Sequence, residues 1–231
     1  MTREIVFETP AGILKTTVRR LLCAGYTGRT RSLVDAHIEE LKALGIGTPP
    51  HIPMLFPIIS SLLTQAEATE VVGPNTAPEV EYVLFREGGL DYVTVGSDQT
   101  DSVMEGKAAC LAKNLCEKSI ARVAWPLSEL LDHWDALELS LVCNGTTMQR
   151  GQVAAMFTPE QLRDFVSQHD GAEHENRMIF SGTLETHGRY PGGVQDLELE
   201  LRDPVLGRSI RHAYRVTPLD EIFPAPAEST R

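Results

Sequence analysis

Apolar residues recur along most of the chain in short alternating or partly β-branched runs, and at helical spacing in only two places. Residues 4–9 make a brief strand-like run, Pro10-Ala-Gly12 is a turn signal, and residues 13–24 carry a second apolar run. In residues 32–44 the apolar positions Val34, Ile38, Leu41 and Leu44 fall on one helical face, with Ser32 as N-cap. Gly45 and Gly47 end that helix and Pro49-Pro50 prevent its restart. From Pro53 the pattern turns to β: runs at 54–59, 79–85 and 90–95 are broken by Gly, Pro and Asn. The segment 136–143, then Asn144-Gly145, then 146–150 predicts a two-residue hairpin. Thr158 as N-cap, Pro159 in the first turn and Gln161 in the capping-box position predict a second helix that buries Leu162, Phe165 and Val166. Leu197, Leu199 and Leu201 alternate with Glu198, Glu200 and Arg202, so that strand has one wet face.

No repeat, heptad or linker interrupts this pattern. The expectation is a single α+β domain over residues 1–220, mostly sheet with a few short helices, and a loose tail at 221–231 rich in Pro and Ala. Apolar residues make up 42% of the 231 and charged residues 23%, which is a globular rather than a disordered balance. With 21 Lys+Arg against 32 Asp+Glu the net charge is −11, which argues against nucleic acid or an anionic membrane as partner. No apolar run nears the roughly 20 residues of a membrane span, and Met1 to Phe7 carries nothing like a secretory signal. A cytoplasmic address is expected. Cys23, Cys110, Cys116 and Cys143 form neither a CxxC pattern nor a disulfide framework. The apolar surroundings of Cys110 and Cys116 argue against a thiol nucleophile.

Three carboxylates carry the main candidate chemistry. Glu79 and Glu81 lie two apart on a predicted strand, so they leave the same face about 6.6–6.8 Å apart. Asp98 follows the run 92–96, where a strand end can aim a side chain. Oxygen donors of this kind suit a hard divalent cation such as Mg²⁺ or Mn²⁺. Lys113, in the otherwise apolar stretch Cys110-Leu-Ala-Lys113-Asn-Leu115, would balance charge for an anionic substrate. Each has an ordinary reading as well: the wet face of a sheet for the glutamates, a turn residue for Asp98, a snorkelling surface side chain for Lys113. His37 and Glu40, three apart on the first helix, are either a carboxylate-oriented general base or a structural hydrogen bond.

Taken in order, these pieces resemble the fumarylacetoacetate hydrolase superfamily over roughly residues 20–215. The segments that carry the resemblance begin with Cys23-Ala-Gly-Tyr26, His37-Ile-Glu-Glu40, Pro53-Met-Leu-Phe56 and Ser60-Ser-Leu-Leu63. They continue with Glu79-Val-Glu81, Gly96-Ser-Asp98, Ala112-Lys113-Asn114-Leu115 with Ser119-Ile120-Ala121-Arg122, then Ser181-Gly182-Thr183 and Pro191-Gly-Gly193. After Asp98 the family's arginine has no counterpart, since the segment reads Gln99-Thr-Asp101-Ser102. The resemblance points to an uncharacterised branch and implies a mixed β-sandwich roll, commonly homodimeric. It implies Mg²⁺ or Mn²⁺ on Glu79, Glu81 and Asp98, and a small 2-oxo acid such as an acylpyruvate as substrate. C–C hydrolysis is the expected reaction, with decarboxylation or dehydration as lyase alternatives and non-catalytic binding of an oxo acid as a third. In the hydrolytic version His37, oriented by Glu40, activates water, while Lys113 and Thr183 bind substrate oxygens.

Overall fold

The computed structural model describes residues 2–30 and 51–219. Strands β1 (Arg3–Thr9), β2 (Gly12–Val18) and β3 (Arg20–Gly25) come first. After the segment 31–50 follow β4 (Met54–Ile58), β5 (Leu63–Thr64), β6 (Ala68–Val72), β7 (Thr76–Ala77), β8 (Val80–Glu87), β9 (Leu90–Ser97) and β10 (Thr100–Asp101). Helix α1 (Ser102–Asn114) leads to β11 (Lys118–Ile120) and β12 (Trp125–Pro126), and then to β13 (Glu138–Cys143) and β14 (Thr146–Gln152). Helix α2 (Pro159–Asp170), β15 (Arg177–Phe180), β16 (Gln195–Asp203) and β17 (Arg208–Leu219) complete the described chain.

Two mixed sheets face each other. The larger runs β4-β3-β15-β8-β9-β11-β5 with β12 paired to β9, and the smaller runs β14-β13-β16-β17-β6. The pairs β3–β15, β5–β11 and β6–β17 are parallel, and the other pairs of these sheets are antiparallel. Tyr82, Leu84, Val93 and Val95 of the larger sheet pack with Leu139, Leu141, Leu197, Leu199 and Leu201 of the smaller one. On the other face of the larger sheet, Val83, Phe85, Cys23 and Phe180 pack with Ile5 and Phe7 of the β1–β2 hairpin. Strand β8 is therefore buried at six successive positions, 80–85, which is why its sequence is continuously apolar apart from Glu81. Strand β16 has only one covered face; on the other, the directly paired Asp196–Arg215 and Glu200–Arg211 form ion pairs at 2.7 and 2.9 Å.

Several local expectations hold in detail. Asn144 and Gly145 both take positive φ (48° and 77°), as the tight hairpin turn requires. Thr158 and Gln161 form the reciprocal capping box, and Leu162, Phe165 and Val166 are buried. The run 13–24 is two strands rather than one: the chain breaks at Arg19, where the amides of Arg19 and Arg20 both donate to the Asn176 carbonyl, and β3 passes into the larger sheet. The predicted helix 32–44, with His37 and Glu40, and the tail 221–231 lie outside the described residues. Among the described residues, no helix is long and apolar enough to cross a membrane.

One titrating contact ties the two sheets together. His212 on β17 meets Ser119 on β11, Nε2 to Oγ at 2.7 Å. Burial, reinforced by Arg122, pushes the imidazole down to about 4. Its contribution to stability is complete above the unfolded value near 6.5 and is lost as pH falls from there toward 4. Urea unfolding at pH 7 and pH 5 should show a loss of about 2 kcal/mol from this group. A His212→Gln protein should lack that component; an unchanged pH dependence would show that His212 is not the group responsible.

Candidate metal centre

The acidic cluster follows from strand register. In the β8–β9 hairpin Val80 is opposite Ser97, so one step further places Glu79 opposite Asp98, where the Asp98 amide donates to the Glu79 carbonyl at 3.0 Å. Glu79 thus stands one residue ahead of β8 rather than within it. Glu81 leaves the same face two residues on. The three residues offer carboxylate oxygens that all lie within 4.8 Å of one another; Glu81 and Asp98 are buried and Glu79 is half-buried. Glu81 is paired with Gly96, where a Cβ would stand 2.8 Å from Ile120 Cγ2 and Phe180 Cε1 and 2.9 Å from the Ser119 carbonyl. The close approach of β11 to β9 beside the site therefore needs a glycine there.

A loop and a buried amide hold the first of these strands. Strand β15 runs directly into Ser181-Gly182-Thr183, and the Gly182 amide donates to Glu81 Oε2 at 2.9 Å. Thr183 Oγ1 donates to the Val80 carbonyl at 2.8 Å. The buried side chain of Gln149 accepts from the Val80 amide at 2.8 Å and donates to Thr183 Oγ1 at 2.9 Å and to the Leu184 carbonyl at 2.7 Å. Gln149 and Thr183 together pin the backbone between Glu79 and Glu81.

Two lysines oppose the carboxylates. Lys113, in the last turn of α1, places Nζ 2.9 Å from Glu79 Oε2 and 2.6 Å from Asp98 Oδ2. Lys118, on β11 and fully buried, comes within 2.8 Å of Asp98 Oδ1 and donates to the Gln99 carbonyl. Burial pushes Glu81 well above the usual carboxylate range, helped by Asp98 and Glu79 and opposed by Lys113 and the Gly182 amide. Burial would raise Asp98 too, but Lys113 and Lys118 outweigh it and hold that carboxyl low. Burial would lower Lys113, yet the negative charge of Asp98, Glu79 and Glu105 raises it. Glu105, in the first turn of α1, is pushed up to about 7 by burial and by Glu79. Tyr26, at φ 58°, is raised by burial and by Glu105 and Glu79, so both residues border the cluster.

Glu79, Glu81, Asp98 and Lys113 thus come together from two strands and a helix. Thr183 lies against the same backbone, with its proton given to Val80, while His37 and Glu40 lie outside the described residues. Lys118, Gln149, Glu105 and Tyr26 were not anticipated. Lys118 lies between buried Cys116 and the buried 119–121, but neither it nor Gln149 carries a sequence signal of its inward placement. Burial raises the Cys23 thiol well above its usual value and the Cys116 thiol to about 11, against a nucleophilic role. Cys110, expected in apolar surroundings, is exposed instead, because it lies on the outer face of α1.

The mixed-sheet roll is the fumarylacetoacetate hydrolase type of fold, and solved proteins of that family share it. A fumarylpyruvate hydrolase from Pseudomonas aeruginosa, solved with Mn²⁺ and pyruvate, matches with a TM-score of 0.63 at 15% identity, covering 94% of this chain and 97% of that one. A Burkholderia cenocepacia protein provisionally assigned as a fumarylpyruvate hydrolase matches with a TM-score of 0.66 at 17% identity, covering 94% and 92%. A yeast fumarylacetoacetate hydrolase family protein gives 0.61 at 16%, covering 93% and 97%. The chain belongs to the family described as Protein of unknown function (DUF2848), whose model matches residues 24–214. No curated protein matches the sequence.

Proposed function

We propose that this protein is a divalent-metal-dependent enzyme that hydrolyses a C–C bond in an acylpyruvate-like 2-oxo acid. The observation that carries the reading is the cluster of Glu79, Glu81 and Asp98, three oxygen ligands within 4.8 Å beside the Lys113 ammonium. Such a donor set suits Mg²⁺ or Mn²⁺, and a cation there would relieve the burden that burial places on Glu81. The Mn²⁺ and pyruvate bound to the Pseudomonas aeruginosa fumarylpyruvate hydrolase support the same choice of ion and substrate class. When bound, the cation would supply Lewis-acid stabilisation of the negative charge that C–C cleavage leaves on the keto oxygen.

The chain's own residues do the rest. Three carboxylates against two ammonium groups leave one formal negative charge, and a divalent cation turns this to one positive, which favours an anionic substrate. Lys113, with its ammonium at the cluster, binds a substrate carboxylate or keto oxygen. Thr183 holds the strand that bears the glutamates, donating to the Val80 carbonyl and accepting from Gln149; to bind a substrate oxygen it would have to release its proton from Val80. The role of general base, taking the proton from the water that attacks the distal carbonyl, is assigned to His37 with Glu40 as its carboxylate partner.

The test is turnover of acylpyruvates and oxaloacetate by chelator-treated protein with and without Mn²⁺ or Mg²⁺, read as loss of the diketo chromophore and release of pyruvate. Activity that needs the metal and disappears in Asp98→Asn is expected, and His37→Ala should slow hydrolysis by about 10²–10⁴-fold. Metal-loaded protein inert toward the whole series would overturn the reading. Turnover insensitive to His37→Ala would replace hydrolysis with a lyase reaction, which needs no attacking water.

A further inference from the structure

We propose that Lys118 is a positioning residue that aims Asp98 at the metal and never touches substrate; this rests on the metal reading above. Lys118 is 0% exposed, so its ammonium reaches neither solvent nor a bound oxo acid. A lysine is costly to bury unless its charge is matched, and here the match is specific. Nζ forms an ion pair with Asp98 Oδ1 at 2.8 Å and donates its hydrogen bond to the Gln99 carbonyl, so one ammonium holds the ligand's side chain by charge and the peptide that follows it by a hydrogen bond. The other oxygen of the carboxylate, Oδ2, points toward the Glu79 side of the cluster, where it accepts from Lys113 at 2.6 Å.

The brace extends below the site. Thr100 Oγ1 donates to the Asp98 carbonyl at 3.0 Å. Gln99 Nε2 donates to Thr76 Oγ1 at 2.8 Å, and Gln99 Oε1 accepts from the Tyr214 hydroxyl of the smaller sheet at 3.0 Å. Asp98 therefore rides on a segment fixed to both sheets, and Lys118 links that segment to the ligand carboxylate. Lys113, by contrast, lies on the side shared by Glu79 and Asp98. The two lysines divide the work: Lys113 serves the half-buried Glu79 side of the cluster and Lys118 its floor.

The experiment is calorimetric titration of Mn²⁺ into metal-free wild type, Lys118→Gln and Lys118→Met, with circular dichroism to confirm folding at the titration temperature. Outer-shell partners of metal ligands typically contribute 10–100-fold in affinity, and a loss in that range is expected for Lys118→Met. The loss should be smaller for Lys118→Gln, which keeps an N–H group beside Asp98. Leu63→Ala, at the apolar position paired with Lys118 on β5, should lower stability and leave Mn²⁺ affinity unchanged. Folded variants that bind Mn²⁺ as tightly as wild type would overturn the role of Lys118 alone. Failure of both variants to fold would also overturn it, since Lys118 would then support the fold rather than aim a ligand. Absence of Mn²⁺ binding by the wild type would instead remove the metal reading itself.

Discussion

Glu81→Gln is expected to stabilise the metal-free protein at neutral pH and to abolish its response to Mn²⁺. Glu81 is 1% exposed, faces Asp98 and Glu79, and accepts its hydrogen bond from the Gly182 amide. Its carboxyl is raised well above the usual range by burial first and by the two neighbouring acids second. The folded state therefore holds this proton more tightly than the unfolded state. The metal-free protein then loses stability as pH rises from the unfolded value near 4.5 through the raised folded one. Glutamine keeps the shape and the acceptor for Gly182 and removes the buried charge. A gain in stability at pH 7–8 is expected, read as a rise in unfolding temperature of about 2–4 °C for each kcal/mol gained. Thermal unfolding with and without Mn²⁺ checks both halves. A less stable variant that still responds to Mn²⁺ would remove Glu81 from the site.

Gly182→Ala should damage both fold and metal binding. Gly182 has φ 87°, and an added Cβ would lie 2.3 Å from Thr27 Oγ1 and 3.3 Å from the Ala24 carbonyl. The left-handed backbone costs an alanine about 1–2 kcal/mol, and the contact with Thr27 adds to that. Thr27 cannot simply turn away, because its hydroxyl is buried and donates to the Ser181 carbonyl at 2.6 Å. Relief comes by moving the loop, which withdraws the Gly182 amide from Glu81. Urea unfolding should show a loss of about 2–4 kcal/mol, together with weaker Mn²⁺ binding. Adding Thr27→Ala removes the atom nearest the new methyl and should recover part of the stability, while the backbone cost remains. Full stability in the single variant would contradict the geometry at this loop.

What the chain declares in its sequence and what it conceals divide along physical lines. The Asn144-Gly145 turn, the Thr158–Gln161 capping box and the alternation at 197–202 are local codes, and each reads as it folds. The acidic cluster was legible because carboxylates at a strand start and a strand end can be brought together by one hairpin register. Helix α1 was not legible. Its Val103 and Leu111 are exposed while Lys113 is buried, so its apolar pattern marks the wrong face, and Ala108 departs from helical geometry at φ −157°. Asp101, which caps α1 by accepting from the Met104 amide, was the available signal. Strands β5, β7, β10 and β12 are two residues long, too short for any period to show. Gln149 and Lys118 escaped because buried polar side chains are placed by partners distant in sequence: Val80 lies 69 residues from Gln149, and Gln99 19 from Lys118.

The central claim is that Glu79, Glu81 and Asp98 hold one divalent cation. Calorimetric titration of Mn²⁺ into chelator-treated protein tests it most directly, with thermal unfolding in the same buffer as a second reading. The expected result is one site per chain, lost in Asp98→Asn, with a stabilisation of about 2.7 kcal/mol when Mn²⁺ reaches 100 times its Kd. Oxalate, as a mimic of a 2-oxo acid enolate, should extend that shift. No heat and no shift with either Mn²⁺ or Mg²⁺ would contradict the claim and leave the three carboxylates as an ion-paired cluster neutralised by Lys113 and Lys118.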